Sequence, residues 1–355
     1  MTPLEGEIRR IVAIDGPIPV DRYMALCLGH PQHGYYTTRD PLGAAGDFVT
    51  APEVSQMFGE LIGAWAATVW RQMGSPPNVR LVEMGPGRGT LMADALRAAR
   101  ALPEFYAALS VHLVETSPVL RALQEGTLAN AGVPIAWHHA LEEVPAGATI
   151  AVANEFVDAL PISQFVKDRD GWHVRTIGVV DGKLAFLAAP DPMLNKSAAD
   201  TTPVGTILER RYDRPVALLA GRIAQHGGAA LIIDYGHTES GFGDTLQAVR
   251  GHAFTDPLEG PGEADLTAQV DFAAVVIWAQ HQGAVTRGPI PQGEFLRRLG
   301  IEQRAARLKG SATPQQAADI DAAVTRLTAP DQMGELFKVL AIAAPKLGPL
   351  PGFDR

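Results

Sequence analysis

Apolar residues along this chain fall into two alternating rhythms. After Pro52, the residues Val54, Met57, Phe58, Leu61, Ile62, Trp65 and Val69 recur at three- and four-residue steps. That spacing predicts an amphipathic helix with proline in its first turn, ending near Gly74. The run Val79-Arg80-Leu81-Val82-Glu83 then predicts a strand, and Leu91, Met92, Ala95, Leu96 and Ala99 resume helical spacing after a glycine turn. The unit repeats: Val111 to Glu115 is a second strand, and Ser117-Pro118 caps a helix carrying Leu120, Leu123 and Leu128. Further strands are expected at Ile135 to Trp137 and Thr149 to Ala153. Strands alternating with helices of this length predict a mainly parallel sheet built through right-handed crossovers.

After Pro161 the rhythm changes to strands at Gln164 to Lys167, Trp172 to Val180 and Lys183 to Leu187, with turns at Asp170-Gly171 and Asp181-Gly182. These predict an inserted antiparallel meander. The Pro-, Asp- and Ala-rich stretch from Ala188 to Pro203 is expected to be a loop or the edge of an insertion. A buried strand returns at Ala229 to Tyr235, followed by helices around 270 to 282, 292 to 299 and 314 to 328. The fold expected is therefore α/β, a Rossmann-like sheet flanked by helices, with an N-terminal helical extension and inserted antiparallel strands and helices. Three consecutive stretches follow from this reading: 1–75 as extension and cofactor-covering segment, 76–240 as the core with a β insertion around 162–228, and 241–355 as C-terminal additions that include final core strands.

Composition changes this picture little. The chain has 355 residues, 46% hydrophobic and 19% charged, which is ordinary for a globular protein. With 30 Lys plus Arg against 39 Asp plus Glu, the net charge of -9 makes nucleic acid a poor partner. Cys27 is the sole cysteine, which excludes an internal disulfide and a multi-cysteine zinc site. The ten histidines form no ligand cluster at metal-binding spacing, so no metal is expected. The acidic beginning lacks a signal or transit pattern, and no apolar run reaches the roughly 20 residues of a membrane span. A cytoplasmic protein is the expectation.

Chemistry concentrates where strands end. Ligands of open parallel sheets bind outside the carboxyl ends of the strands, and Glu83 and Glu115 both stand there. Gly85, Gly87 and Gly89 permit close backbone approach, and the helix after them offers amide donors at its positive end. A dinucleotide fingerprint would need Gly or Ala at position 90, where this chain has Thr90. The pattern present is Glu-x-Gly-x-Gly-x-Gly, which resembles the first motif of the Rossmann-like methyltransferases. That resemblance implies S-adenosyl-L-methionine as cofactor, with Glu83 near its amino acid portion and Glu115 accepting the ribose hydroxyls, a task suited to two acceptor oxygens. A purely structural turn and a solvated carboxylate are the plainer readings of the same residues.

Asn154-Glu155-Phe156-Val157-Asp158 follows the fourth strand. Glu155 and Asp158 could hold a guanidinium by paired charge-assisted hydrogen bonds, leaving one nitrogen aimed at a methyl donor. Asn154 and Asp158 could equally cap the next helix. The Gly-x-Ser-x-Gly elbow and the Gly-Lys-Ser/Thr phosphate loop are both missing from the sequence.

Several segments together resemble the MidA-like methyltransferases, a family that includes mitochondrial complex I assembly factor 7. They are His33 to Tyr36, Gly46 to Glu53, Glu83 to Gly89, Asn154 to Pro161, Ala264 to Phe272, Gln292 to Leu296 and Met333 to Leu340. The likeness spans about residues 4 to 350 and implies a bacterial-type member that methylates an arginine of a protein, such as a respiratory complex I subunit during assembly. It further implies that Gly46 to Glu53 closes over the cofactor, adding Asp47, Phe48 and Thr50 to the cofactor site alongside Asn154; a loop and helix cap is the alternative for those three. Two other functions compete: a noncatalytic assembly chaperone that retains the fold, and a small-molecule methyltransferase.

Overall fold

The computed structural model describes residues 1–40, 50–190, 201–211 and 214–353. Asp47 and Phe48 lie outside the described residues, as does most of the stretch from Ala188 to Pro203. Contacts divide the chain into two interleaved units rather than three consecutive stretches. One holds the described residues of Met1–Pro41, Asp158–Asp213 and Ser240–Gln269; the other holds those of Leu42–Val157, Arg214–Glu239 and Val270–Arg355. The cause lies in sheet geometry, because loops beyond strand ends can lengthen without disturbing the ladder.

The larger unit is built on a sheet of β1 (Val79–Met84), β2 (Leu109–Val114), β3 (Ile135–His138), β4 (Thr149–Asn154), β5 (Gly228–His237), β6 (Val285–Pro291) and β7 (Phe337–Ala343). Their spatial order is β3-β2-β1-β4-β5-β7-β6. The first five are parallel to their neighbours, and β7 is antiparallel to both β5 and β6. The expected mainly parallel sheet is therefore what forms. Ala229 to Ile233 in β5 are each 0% exposed, and consecutive burial of this kind means that both faces of the strand are covered.

The helix expected from Pro52 is broken in two, Ala51–Val54 and Gln56–Gln72, by an extended Ser55 whose Oγ accepts from Met57 N at 3.2 Å. A serine hydroxyl that satisfies a free amide starts a new helix where apolar periodicity alone would run on. Gln56–Gln72 packs on the helix Thr90–Ala99 so closely that a Cβ at Gly63 would lie 2.4 Å from Ala95 O. This helix thus belongs to the sheet-bearing unit and not to an extension. Its inner face joins Met57, Phe58, Ile62, Trp65 and Val69 to the strand residues Leu81, Ile150 and Leu231 in one core.

The smaller unit carries an antiparallel sheet of Ile162–Asp168, Gly171–Val180, Lys183–Pro190, Ile207–Arg211 and the two-residue strand Ile18–Pro19. The meander expected from the sequence is part of it. Val180 pairs with Lys183, so Asp181-Gly182 is a two-residue turn, and φ values of 49° and 74° give it the form that matches strand twist. The other hairpin turns one residue earlier than expected, at Arg169-Asp170, because Asp168 pairs with Gly171. The helices Pro3–Asp15 and Val20–Gly29 contribute Leu4, Ile8, Tyr23 and Met24 to this unit's own core, with Ile162, Ile177 and Leu266. Cys27 is buried there, as small apolar-like residues are. Three short strands, Gln247–Arg250, Ala253–Thr255 and Asp265–Thr267, were not foreseen; each is too brief to show a period. Among the described residues no helix is long and apolar enough to cross a membrane.

Candidate functional site

In the larger unit the strand order reverses between β1 and β4. Chains entering from either side leave a crevice at the carboxyl ends there. Glu83 is next to last in β1, Glu115 directly follows β2, and Asn154 ends β4. Three residues far apart in sequence therefore stand at the ends of three adjacent strands.

The loop after β1 is turned by three glycines in the left-handed region, with φ of 65° at Gly85, 55° at Gly87 and 81° at Gly89. Gly85 N donates to Val114 O at 3.1 Å, and Gly89 N donates to Pro86 O at 2.8 Å, closing the turn. A Cβ at Gly85 would sit 2.8 Å from Phe156 Cδ2, so the aromatic ring after β4 rests on the glycine backbone. The helix Thr90–Ala99 begins with no side-chain cap, which leaves its first amides to a ligand or solvent. Sequence reading missed Phe156 as a partner of the loop, since its neighbour is set by strand order and not by spacing.

Glu83 is 3% exposed, and among the described residues nothing donates to its Oε2. Burial, and then the nearby charge of Glu115, push its carboxyl up to about 8. Glu115 is likewise raised by burial, but it has compensating donors. Its Oε1 accepts from Ser117 N at 2.7 Å and its Oε2 from Gln124 Nε2 at 3.1 Å. The backbone N–H of Thr116 is a third donor, and a carboxylate with about four acceptor positions keeps room for a further one. Gln124, fully buried, also donates to Gly87 O at 2.7 Å and accepts from Trp137 Nε1 at 3.0 Å. Neither Gln124 nor Trp137 was foreseen. The signal was available: Leu120, Gln124 and Leu128 share one helical stripe, and a polar residue inside an apolar stripe needs an explanation.

Asn154 Nδ2 donates to Glu155 Oε1 at 3.1 Å, and no described residue pairs with the buried Asn154 Oδ1. Glu155 itself has φ of 49°, a conformation that costs a non-glycine residue energy and persists only under outside restraint. Its N–H donates to Ile233 O at 2.9 Å, and its Oε1 also accepts from Ala51 N at 3.1 Å. Two residues on, Val157 N donates to Asp234 Oδ2 at 2.9 Å. Thr50 precedes that Ala51 contact, and its own side chain caps nothing. Glu53 does the fastening instead: Thr90 Oγ1 donates to its Oε1 at 2.6 Å, and Arg88 lies 3.8 Å away. Asp158 falls in the smaller unit. It is 5% exposed, its carbonyl accepts from Ala268 N at 3.0 Å and Arg211 at 3.1 Å, and its charge helps raise the phenol of Tyr36 after burial and Asp265. Neither Asn154 nor Asp158 caps a helix, since the chain passes from β4 to the strand Ile162–Asp168 with no helix between them.

These features suit the cofactor the resemblance implies. Two buried acceptors to which no described residue donates, Glu83 Oε2 and Asn154 Oδ1, match a ligand that brings N–H or cationic groups. The room left on Glu115 matches a hydroxyl donor.

Comparison with known proteins agrees. Residues 61–290 match the S-adenosyl-L-methionine-dependent methyltransferase family. The chain is similar to a Drosophila melanogaster protein named protein arginine methyltransferase NDUFAF7 homolog, mitochondrial, with 40% identity over 377 residues, covering 96% of this chain and 84% of that one. It is 36% identical over 370 residues to the Homo sapiens protein arginine methyltransferase NDUFAF7, mitochondrial, covering 96% and 83%. Its structure is similar to that of a Burkholderia thailandensis protein solved with S-adenosyl-homocysteine bound, with a TM-score of 0.85 and 30% identity, covering 99% and 94% of the two chains. The cytoplasmic location expected from the sequence is corrected by these relatives, which are named as mitochondrial proteins. That expectation rested on features missing from the sequence, and a missing pattern does not fix a compartment.

Proposed function

This chain belongs to the S-adenosyl-L-methionine-dependent methyltransferase family, and from that premise we propose that its methyl acceptor is an arginine side chain of a protein. The observation that carries the reading is the 40% identity, over 96% of the chain, to a relative named as a protein arginine methyltransferase. The relatives' mitochondrial designation and the family's assembly factor make subunits of respiratory complex I the first substrates to try.

S-Adenosyl-L-methionine, when bound, supplies an electrophilic methyl group. We assign its holding to Glu83, Gly85, Gly87, Gly89, Glu115 and Asn154, with Thr50 as a further contact. Glu83, with its carboxyl near 8, carries a proton at neutral pH in the free protein and surrenders it when a cationic group arrives beside it. Glu115 offers its remaining acceptor position to a hydroxyl. For the acceptor, Glu155 provides a carboxylate beside the same strand ends, suited to a guanidinium through charge-assisted hydrogen bonds. Asp158 falls in the smaller unit, and its part in turnover is tested separately by its own variant. The protein's contribution is positioning, exclusion of water and an acid that holds one nitrogen ready, which is how an effective concentration is raised without covalent catalysis.

The test is transfer of a radiolabelled methyl group from the cofactor to isolated complex I subunits, followed by acid hydrolysis and amino acid analysis. Label in methylarginine supports the proposal. Label in another amino acid or in small molecules overturns the arginine acceptor, and tight cofactor binding with no transfer to any fraction returns the protein to the chaperone reading.

A further inference from the structure

Gln124 sits on the helix Pro118–Thr127, away from every motif that announces the cofactor, yet its amide joins three of the site's parts. Chemistry fixes which way that amide faces. The indole N–H of Trp137 can only donate, so the oxygen of Gln124 must face it, at 3.0 Å. The NH2 group then meets two groups that can accept, the carbonyl of Gly87 at 2.7 Å and Oε2 of Glu115 at 3.1 Å. Both amide donors are satisfied, and the oxygen has its donor. A flipped amide would set oxygen against two oxygens and nitrogen against N–H. Gln124 is 0% exposed, so water does not stand in for any of the three partners.

We propose that Gln124 is a positioning residue of the cofactor site, tying the glycine loop at Gly87 to the carboxylate of Glu115, with Trp137 locking the direction of its amide. This rests on the reading of Glu115 as the acceptor of the cofactor's ribose hydroxyls. With Oε1 of Glu115 already held by Ser117 N, the bond from Gln124 to Oε2 fixes the second oxygen and so the orientation of the carboxylate. Holding Gly87 in the same grip sets the loop and the carboxylate at one spacing, so both engage the cofactor without rearranging. Glutamate at position 124 has the same shape but the wrong inventory: it keeps the acceptor for Trp137 and loses both donors. Leucine loses all three links.

The experiment is calorimetric titration of the full chain with S-adenosyl-homocysteine for the parent and for Glu115→Ala, Gln124→Glu, Gln124→Leu, Trp137→Phe and the double variant Glu115→Ala/Gln124→Leu, with thermal unfolding recorded for each. Glu115→Ala is expected to weaken binding by about 10- to 100-fold, the range for a hydrogen bond to a charged group. Gln124→Glu and Gln124→Leu should each weaken it about tenfold, and Trp137→Phe about threefold, since only the amide's direction is released. In the double variant the loss beyond Glu115→Ala alone should be no more than about threefold, against about tenfold for Gln124→Leu in the parent, because only the hold on Gly87 is then left to lose. A purely structural role would instead give losses that multiply. Multiplying losses, or a folded Gln124→Glu that binds like the parent, overturns the proposal. If Glu115→Ala itself binds like the parent, the ribose reading of Glu115 falls first, and that failure is told apart because no Gln124 variant is needed to see it.

Discussion

The loop after β1 and the segment after β4 stand at the same end of one sheet, but they are held differently. The loop turns by a local bond, Gly89 N to Pro86 O, and positive φ at three glycines, to which Val114 O and Gln124 add outside partners. The segment from Glu155 to Val157 closes on distant residues instead: Ala51 N, Ile233 O and Asp234 Oδ2. A locally bonded turn needs the right residue types in the right order and little else. A segment with a positive-φ glutamate needs the rest of the fold to impose it. The first therefore announces itself in the sequence, while the second is visible only by what it touches.

Substitutions can break this contrast in order of expected effect. Gly85→Val adds a β-carbon both at φ of 65° and within 2.8 Å of Phe156 Cδ2, so it strikes the loop and the segment together. Cofactor binding should fall by more than about 100-fold, combining backbone strain with the clash; calorimetric titration checks this, and binding within tenfold of the parent would mean the loop adapts. Asp234→Ala strikes the segment through its bond to Val157 N. It removes the acceptor for Val157 N and for Tyr235 N at a position 0% exposed, and should cost roughly 2–3 kcal/mol of stability in a denaturant titration. Were the loss negligible, the segment would be held by something other than this carboxylate.

Glu83 sharpens the contrast through pH. Its carboxyl is near 8 when folded and near the ordinary glutamate value when unfolded, so between about 4.5 and 8 the folded chain retains a proton that the unfolded chain releases. Stability of the cofactor-free protein should therefore be greatest at the acid end of that window and decline as pH rises, by up to about 1.4 kcal/mol per pH unit for one proton. Glu83→Gln should flatten this slope in denaturant titrations run from pH 5 to 8. Bound cofactor should flatten it too if it supplies the cation. An unchanged slope in Glu83→Gln would assign the pH dependence to Glu115 or to other groups.

The smallest structural effect belongs to Glu155→Gln. The amide oxygen can still accept from Ala51 N and Asn154 Nδ2, so stability should stay within about 0.5 kcal/mol of the parent. Turnover should nevertheless drop by about tenfold or more, because a neutral amide holds a guanidinium less firmly than a carboxylate. Unchanged turnover would confine Glu155 to fastening Ala51 and would move the substrate-holding role elsewhere, with Asp158→Asn as the next variant to assay.

Much of this protein is decided locally and can be read in one dimension. Periodicity marks the strands from Val79 to Asn154 and the helices Thr90–Ala99 and Pro118–Thr127, though not the short Pro103–Ala108, since burial of one face must repeat with the element's own period. The glycine triplet and Asp181-Gly182 declare their turns because few residues tolerate positive φ. The place of Glu83 and Glu115 at the carboxyl ends of strands is legible because each closes a short apolar run. Tertiary structure alone decided the rest. It placed β4 beside β1, which set Phe156 against Gly85 and Asn154 near Glu83. It inserted the antiparallel β7 between β5 and β6, and it gathered the first residues with two later excursions into a unit of their own. It also gave Gln124 three partners on three different elements. The physical reason is the same each time: spacing along the chain reports which face a residue presents, but a hydrogen-bond partner across the sheet is chosen by strand order, and strand order leaves no period in the sequence.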